Sequence, residues 1–201
     1  MRFDPRPTKI DSRRAVFDVR LPRRGTASIF CSVACEEAEA KLDRPPRQFF
    51  VGFREAHRAL RAATLRAASV ETSNQVFNEM LTRSAADLSM LMTDTEHGPY
   101  PYAGIPWFST AFGRDAMITA IETLWIDPVI AKGVLKYLAA TQAKEERADI
   151  DAEPGKILHE TRFGEVSRLG EVPFALYYGS VDSTPLFVML AGLYFDRTGD
   201  L

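Results

Sequence analysis

From Arg14 onward apolar and polar residues alternate: Ala15, Phe17, Val19 and Leu21 stand between polar neighbours, Pro22-Arg23-Arg24-Gly25 interrupts, and Ala27, Ile29 and Cys31 resume the pattern. Successive side chains on a strand point to opposite faces, so this alternation predicts a β-hairpin with one buried face. Phe49, Phe50, Val51 and Phe53 follow Pro45-Pro46 and either continue that sheet or lead into a helix over about 54–68. Two or three short strands bury too little surface to stand alone. Residues 1–70 therefore read as the remnant of an N-terminal β domain with its linker.

From Ser73 the period becomes helical. Val76, Phe77, Met80, Leu81, Leu88, Leu91 and Met92 share one face of a helix expected over about 74–92, with Ser73 or Asn74 as its N-cap. A loop of Gly, Pro and aromatic residues, 97–112, leads to a second helix over about 114–125. Asp127-Pro128 supplies a cap and first turn for a third, over about 128–141. After a loop of roughly forty residues a fourth helix starts near Ser183-Thr184-Pro185 and runs toward Arg197. Long loops inside compact domains usually carry function, and two of them precede helices here. Four helices with such loops do not complete a bundle, so 71–201 is expected to be the truncated opening of a larger helical array.

Composition narrows the function classes. With 46% hydrophobic residues the chain has the means to bury a core, and its net charge of −2 gives no electrostatic reason to expect nucleic acid or an anionic membrane as partner. Arginines 2, 6, 13, 14, 20, 23 and 24 crowd the N-terminal part, but they are interleaved with apolar positions, as on a solvated face. No apolar run reaches the ~18 residues of a membrane span, and Met1–Lys9 is charged and proline-bearing, unlike a signal peptide. A cytoplasmic protein is expected. Cys31 and Cys35 have no further Cys or nearby His to complete a zinc site, so they read as small buried residues. His57 and His97 likewise lack partners at ligand spacing, and no metal is expected.

Three stretches carry candidate chemistry. Pro99 to Asp115 packs Tyr100, Tyr102, Trp107, Phe108 and Phe112 among prolines and glycines and ends in Arg114-Asp115 at a helix start. A stiff aromatic loop suits sugar binding: rings stack on the apolar face of a pyranose while Arg and Asp hydrogen-bond its hydroxyls. The same residues also suit a structural role, with Trp107 and Phe108 in the core and Arg114-Asp115 as a cap pair. Asp151 to Glu165 gathers Asp151, Glu153, His159, Glu160, Arg162 and Glu165, which fit a polar pocket or an ordinary solvated loop. Pro173-Phe174 through Phe187 places Asp182 ahead of Ser183-Thr184-Pro185, where Asp182 or Ser183 could simply cap the helix.

Taken together, Phe112-Gly113-Arg114-Asp115, Pro154-Gly155-Lys156-Ile157-Leu158-His159-Glu160 with Arg162, and Tyr177-Tyr178-Gly179-Ser180-Val181-Asp182-Ser183-Thr184-Pro185-Leu186-Phe187 resemble the bacterial amylo-α-1,6-glucosidase and glycogen-debranching proteins. Thr72-Ser73-Asn74 and Arg83-Ser84-Ala85-Ala86-Asp87-Leu88 fit the same pattern, and the resemblance covers about 130 residues. It implies a mainly α fold: an incomplete (α/α)6 toroid preceded by a short β segment from an N-terminal β-sandwich domain. It implies an enzyme that hydrolyses α-glucosidic linkages in an oligosaccharide or polysaccharide without a cofactor. On the family's map Arg114, Asp115 and Asp182 sit at the starts of inner helices and face the sugar, Trp107 and Phe108 line the pocket, and His159, Glu160 and Arg162 shape its rim. The general acid and base belong to segments expected beyond Leu201, so Asp115 and Asp182 are implied to bind substrate rather than donate the proton. Other toroidal glycosidases, of trehalose, kojibiose or mannosylglycerate type, and a non-catalytic truncated product remain alternatives.

Overall fold

The computed structural model describes residues 1–33, 48–172 and 175–200, and it is mainly helical. The chain divides into two compact units, Met1–Ala63 and Thr64–Leu201. Among the described residues no helix is long and apolar enough to cross a membrane.

In the first unit β1 (Arg2–Asp4) pairs antiparallel with β4 (Phe30–Ser32), and β2 (Lys9–Ile10) pairs antiparallel with β3 (Ala15–Val16). The expected hairpin across Pro22–Gly25 is therefore replaced. A turn does form there, with Gly25 N–H donating to the Pro22 carbonyl at 2.8 Å, but its two flanks take upstream partners. The reason is local. Asp11 accepts from the Arg13 and Arg14 amides at 2.8 and 3.0 Å and from Arg14 Nε at 3.0 Å, closing a tighter turn that sets Ala15–Val16 against Lys9–Ile10. Those amides, and Arg14, hold the Asp11 carboxyl below its ordinary range. No buried face results: Val19, Leu21 and Ile29 are exposed. Cys31, expected inside, is also exposed, while Cys35 lies outside the described residues.

Helix α1 (Gln48–Arg66) starts before the aromatic run rather than after it. Phe49 and Phe53, four residues apart, become neighbours on one helix face at 6.2 Å, and Phe49 and Phe50 pack on Phe30 at 5.5 and 5.3 Å. Aromatic contact with β4 thus settles the helix alternative, with an earlier start than the sequence indicates.

In the second unit Asn74 caps α2 (Gln75–Leu91), its Oδ1 accepting the Phe77 amide at 3.2 Å. The shared apolar face of α2 is only partly covered. Leu81, Leu88 and Leu91 are half-buried, whereas Val76, Phe77 and Met80 are exposed. The chain then turns straight into an unexpected hairpin, β5 (Met92–Thr95) with β6 (Gly98–Pro101), so the predicted loop 97–112 begins as a strand. Gly98, at φ 116°, makes the turn that other residues would resist. Helices α3 (Gly113–Thr123) and α4 (Pro128–Ala140) follow, then a 3₁₀ turn (Ala148–Ile150), the single turn α5 (Glu165–Arg168) and α6 (Ser183–Thr198).

The core joins β6, α3, α4 and α6 through Tyr100, Met117, Val134, Leu138 and Leu190, all fully buried. Gly133 lets α4 approach β6 closely: a Cβ there would lie 2.2 Å from the Pro99 carbonyl oxygen. Asp127 serves two elements at once. It caps α4 by accepting the Val129 amide at 3.2 Å, and it receives Arg66 at 2.7 Å while itself buried. At the far end, Lys132 and the Tyr194 hydroxyl converge on Asp200 at 2.6 and 2.8 Å, tying α4 to the end of α6.

Two stability changes follow. Gly133→Ala drives a methyl into backbone and is expected to lower stability by about 3 kcal/mol; an unchanged urea midpoint would contradict the close approach. Asp127→Ala removes the cap and strands Arg66, with an expected loss of about 2 kcal/mol. Asp127→Asn, which keeps a capping oxygen, should lose less in the same urea titration.

Candidate functional site

The three chemistry-bearing stretches meet in a narrow ladder of backbone. Gly113 N–H donates to the His159 carbonyl at 2.8 Å and Thr161 N–H to the Ala111 carbonyl at 3.1 Å. On the other edge His159 N–H donates to Tyr177 O at 2.8 Å, and Tyr177 N–H to Glu160 O at 3.0 Å. Phe112, Glu160 and Tyr177 are thus antiparallel bridge partners across three segments. Threonine hydroxyls reinforce both edges: Thr110 donates to Thr161 O and Thr161 to Ala175 O, each at 2.6 Å. Pro173 and Phe174 lie outside the described residues.

This ladder brings the starts of α3 and α6 together. Gly113 opens α3 directly beneath the middle segment, where a Cβ would stand 2.0 Å from the Leu158 carbonyl oxygen and 3.4 Å from Ser183 Oγ. Arg114, the next residue, reaches across to Asp182 at the start of α6, Nη1 to Oδ2 at 3.2 Å. The simple capping role weighed for Asp182 does not hold, since its side chain makes no capping hydrogen bond. The carboxylate instead receives Ser180 Oγ–H on Oδ1 and Arg114 on Oδ2. These two donors, Ser180 foremost, hold the Asp182 carboxyl below its ordinary range. A carboxyl held low stays ionised at neutral pH and accepts hydrogen bonds; it does not supply a proton.

Beside this pair the aromatic loop is clamped by Arg162. Its guanidinium meets Glu160 Oε2 at 3.0–3.1 Å, donates Nη1–H to the Trp107 carbonyl at 2.7 Å, and lies 5.3 and 5.7 Å from the ring centroids of Phe112 and Phe108. Glu160 is buried beneath it. Trp107 is 78% exposed and Phe108 51%, so neither lies in the core described above, and their rings are open to a stacking partner. His159 stands edge-on between Phe112 and Tyr177, at 6.0 and 5.9 Å, and among the described residues its buried Nδ1 has no hydrogen-bond partner.

Asp115 is set apart from this group. Consecutive helix residues point about 100° away from each other, and Asp115 lines a hollow of about 220 Å³ with Leu88, Leu91, Tyr102, Ile118 and Thr119. Seven of the eight candidates thus lie on or beside the ladder, and Asp115 faces the α2 side of α3. Sequence reasoning gave no role to Ser180, which donates to Asp182 Oδ1; it weighed Ser183 as a cap and Asp151 as part of a polar pocket, whereas Ser183 backs Ser180 and Asp151 accepts the Tyr177 hydroxyl at 2.7 Å. Ser180 lies two residues before Asp182, within reach of its carboxylate, and that short spacing was the available signal. The long separation of Asp151 from Tyr177 left no such signal.

Chemically, Arg114 and Asp182 form a half-exposed pair with no net charge. It offers both N–H donors and carboxylate lone pairs next to exposed rings, which suits a neutral ligand rich in hydroxyls. Compared with protein-family models and with curated proteins, the chain matches none.

The pair has an acid limit. Because the folded-state carboxyl of Asp182 is depressed, its contribution is complete above the unfolded-state value, near 3.8, and is lost as pH falls through the lower folded value. Asp182→Asn is therefore expected to lower stability by a constant amount through the neutral-to-mildly-acidic range and to flatten the fall below about pH 4, so that the two proteins converge there. Chemical unfolding at stepped pH checks this; parallel curves for both proteins would contradict it.

Proposed function

We propose that the face formed by Arg114, Asp182 and the Trp107–Phe108 loop binds a neutral sugar, and that the chain belongs to a glycoside hydrolase of the amylo-α-1,6-glucosidase, glycogen-debranching type. The observation that carries this reading is the Arg114–Asp182 pair at the adjoining starts of α3 and α6. A charge-balanced donor–acceptor pair gains little from an anion or a cation, but it can both donate to and accept from the neighbouring hydroxyls of a pyranose. The exposed Trp107 ring adds a stacking surface within the same clamped loop.

In this reading α3 and α6 are inner helices of an (α/α)6 ring, and an oligosaccharide or polysaccharide with α-glucosidic linkages is the substrate. Asp182 is an ionised acceptor, and Asp115, around the helix, belongs to an adjoining part of the substrate surface. Inverting glycosidases need a carboxylic acid and a carboxylate base about 6.5–9.5 Å apart with water between them. Asp182, held below the ordinary carboxyl range, lacks the raised pKa such an acid requires, so in this reading it is not the proton donor. No cofactor enters this chemistry. The resemblance in the sequence motifs supports the choice among toroidal glycosidases, and a cytoplasmic setting accords with an intracellular glucan.

Calorimetric titration with isomalto- and malto-oligosaccharides tests the binding face. Binding is expected, weakened about tenfold or more by Arg114→Ala, since hydrogen bonds to charged groups are the stronger class. A folded chain that binds neither sugar series would remove the reading. Hydrolysis of an α-1,6 linkage by the 201-residue chain itself would move the proton donor onto Asp115 or Asp182 and overturn the assignment of roles.

A further inference from the structure

Behind Asp182 stands a short relay of hydroxyls. Ser183 is fully buried at the first turn of α6, and its Oγ lies 3.1 Å from Ser180 Oγ, which in turn contacts Asp182 Oδ1. The direction of the protons is fixed by chemistry. An ionised carboxylate only accepts, so Ser180 must give its single proton to Asp182; Ser183 must then donate to Ser180. Each hydroxyl has one donor, and both are committed toward the carboxylate.

The backbone that carries Ser180 is equally committed. Ser180 N–H donates to Tyr178 O at 2.8 Å, and buried Tyr178 is held by its amide on Ile150 O at 3.0 Å and its hydroxyl on Thr141 O at 2.7 Å. Gly179 is wedged beside the Tyr177–Asp151 contact, where a Cβ would fall 2.1 Å from the Tyr177 hydroxyl and 2.7 Å from Asp151 Oδ2. Ser180 thus approaches Asp182 from a loop fixed on both sides, opposite the Arg114 guanidinium.

We infer that Ser180 is a positioning residue: backed by Ser183, it fixes the Asp182 carboxylate between itself and Arg114, so that the site takes ligands with adjacent free hydroxyl donors. One acceptor direction on each oxygen is occupied, by Ser180 on Oδ1 and Arg114 on Oδ2. The remaining lone pairs face a ligand in a set orientation. Two neighbouring hydroxyls match them, whereas an ether or an ester in the same place has no proton to give. The ligand part of this inference rests on the sugar-binding reading; the positioning part does not.

The test separates the two. The Asp182 carboxyl is followed by carbon-13 NMR against pH in the full chain, with Asp182→Asn to assign the signal. Ser180→Ala is expected to move its titration upward toward the ordinary carboxyl range, and Ser180→Thr, which restores the hydroxyl, to return it. Isomaltotriose affinity is expected to fall about fivefold in Ser180→Ala, as for the loss of one hydrogen bond, and to recover in Ser180→Thr. Ser183→Ala should shift the Asp182 titration in the same direction. If that variant does not fold, the two substitutions at Ser180 still decide. An unmoved Asp182 titration in Ser180→Ala overturns the relay. A moved titration in a protein that binds no gluco-oligosaccharide keeps the relay and removes the sugar-binding reading.

Discussion

The approach of the Leu158 carbonyl to Gly113 is the contact on which the site depends. A methyl at position 113 would sit 2.0 Å from that oxygen, far inside any tolerable separation, so the middle segment can lie across the start of α3 only while residue 113 has no side chain. The consequences run outward. The Gly113 amide reaches His159, Glu160 bridges Phe112 to Tyr177, and Tyr177 delivers the chain to Ser180 and Asp182. Three segments distant in sequence are aligned by a handful of backbone hydrogen bonds, and the Arg114–Asp182 pair is the product of that alignment. Packing does the placing here; electrostatics selects what the placed groups can hold.

The same division shows in the surroundings of Asp115 and Asp182. Both are carboxylates at helix starts, where the backbone favours negative charge, and both were visible in the sequence. Yet Asp182 is drawn to Arg114 and Ser180, while the helical turn aims Asp115 at Leu88, Tyr102 and Ile118. Two carboxylates sharing a reaction need environments that push their acidities apart across one cavity. Asp182 is held low by Ser180 and Arg114, and among the described residues Asp115 faces a separate hollow.

Much of the second unit was legible beforehand because its signals are local. Asn74 and Asp127-Pro128 are caps that satisfy nearby amides, and the helices behind them start within a residue of where those caps place them. What was not legible depends on partners far along the chain. Alternation at Ala15–Leu21 states that a strand has two faces but not which strand it meets, and the Asp11 turn decided that. The Met92–Pro101 hairpin was hidden because Pro99 and Pro101 read as loop residues, although a two-stranded edge tolerates them. In the site, side chains such as Arg114 and Arg162 were identifiable by type, but the Arg162 clamp on the Trp107 carbonyl joins two loops, which carry no periodicity to read, and the Ser183–Ser180 contact links a loop end to the first turn of α6.

Helix α6 shows how the site relates to the rest of the unit. Leu186, Phe187, Leu190 and Tyr194 turn toward the core, yet Val188, Met189, Leu193 and Phe195 are exposed on its other sides. A helix apolar on all sides is built to have neighbours on all sides, and the exposed Val76, Phe77 and Met80 of α2 make the same demand. The polar cluster is confined to the start of α6. Asp182 and Ser183 stand at that end. The apolar length of α6 and the polar cluster at its start are then two requirements of one position: burial along the shaft holds the helix still, and the hydroxyls and guanidinium at its tip turn that rigidity into a fixed orientation of one carboxylate.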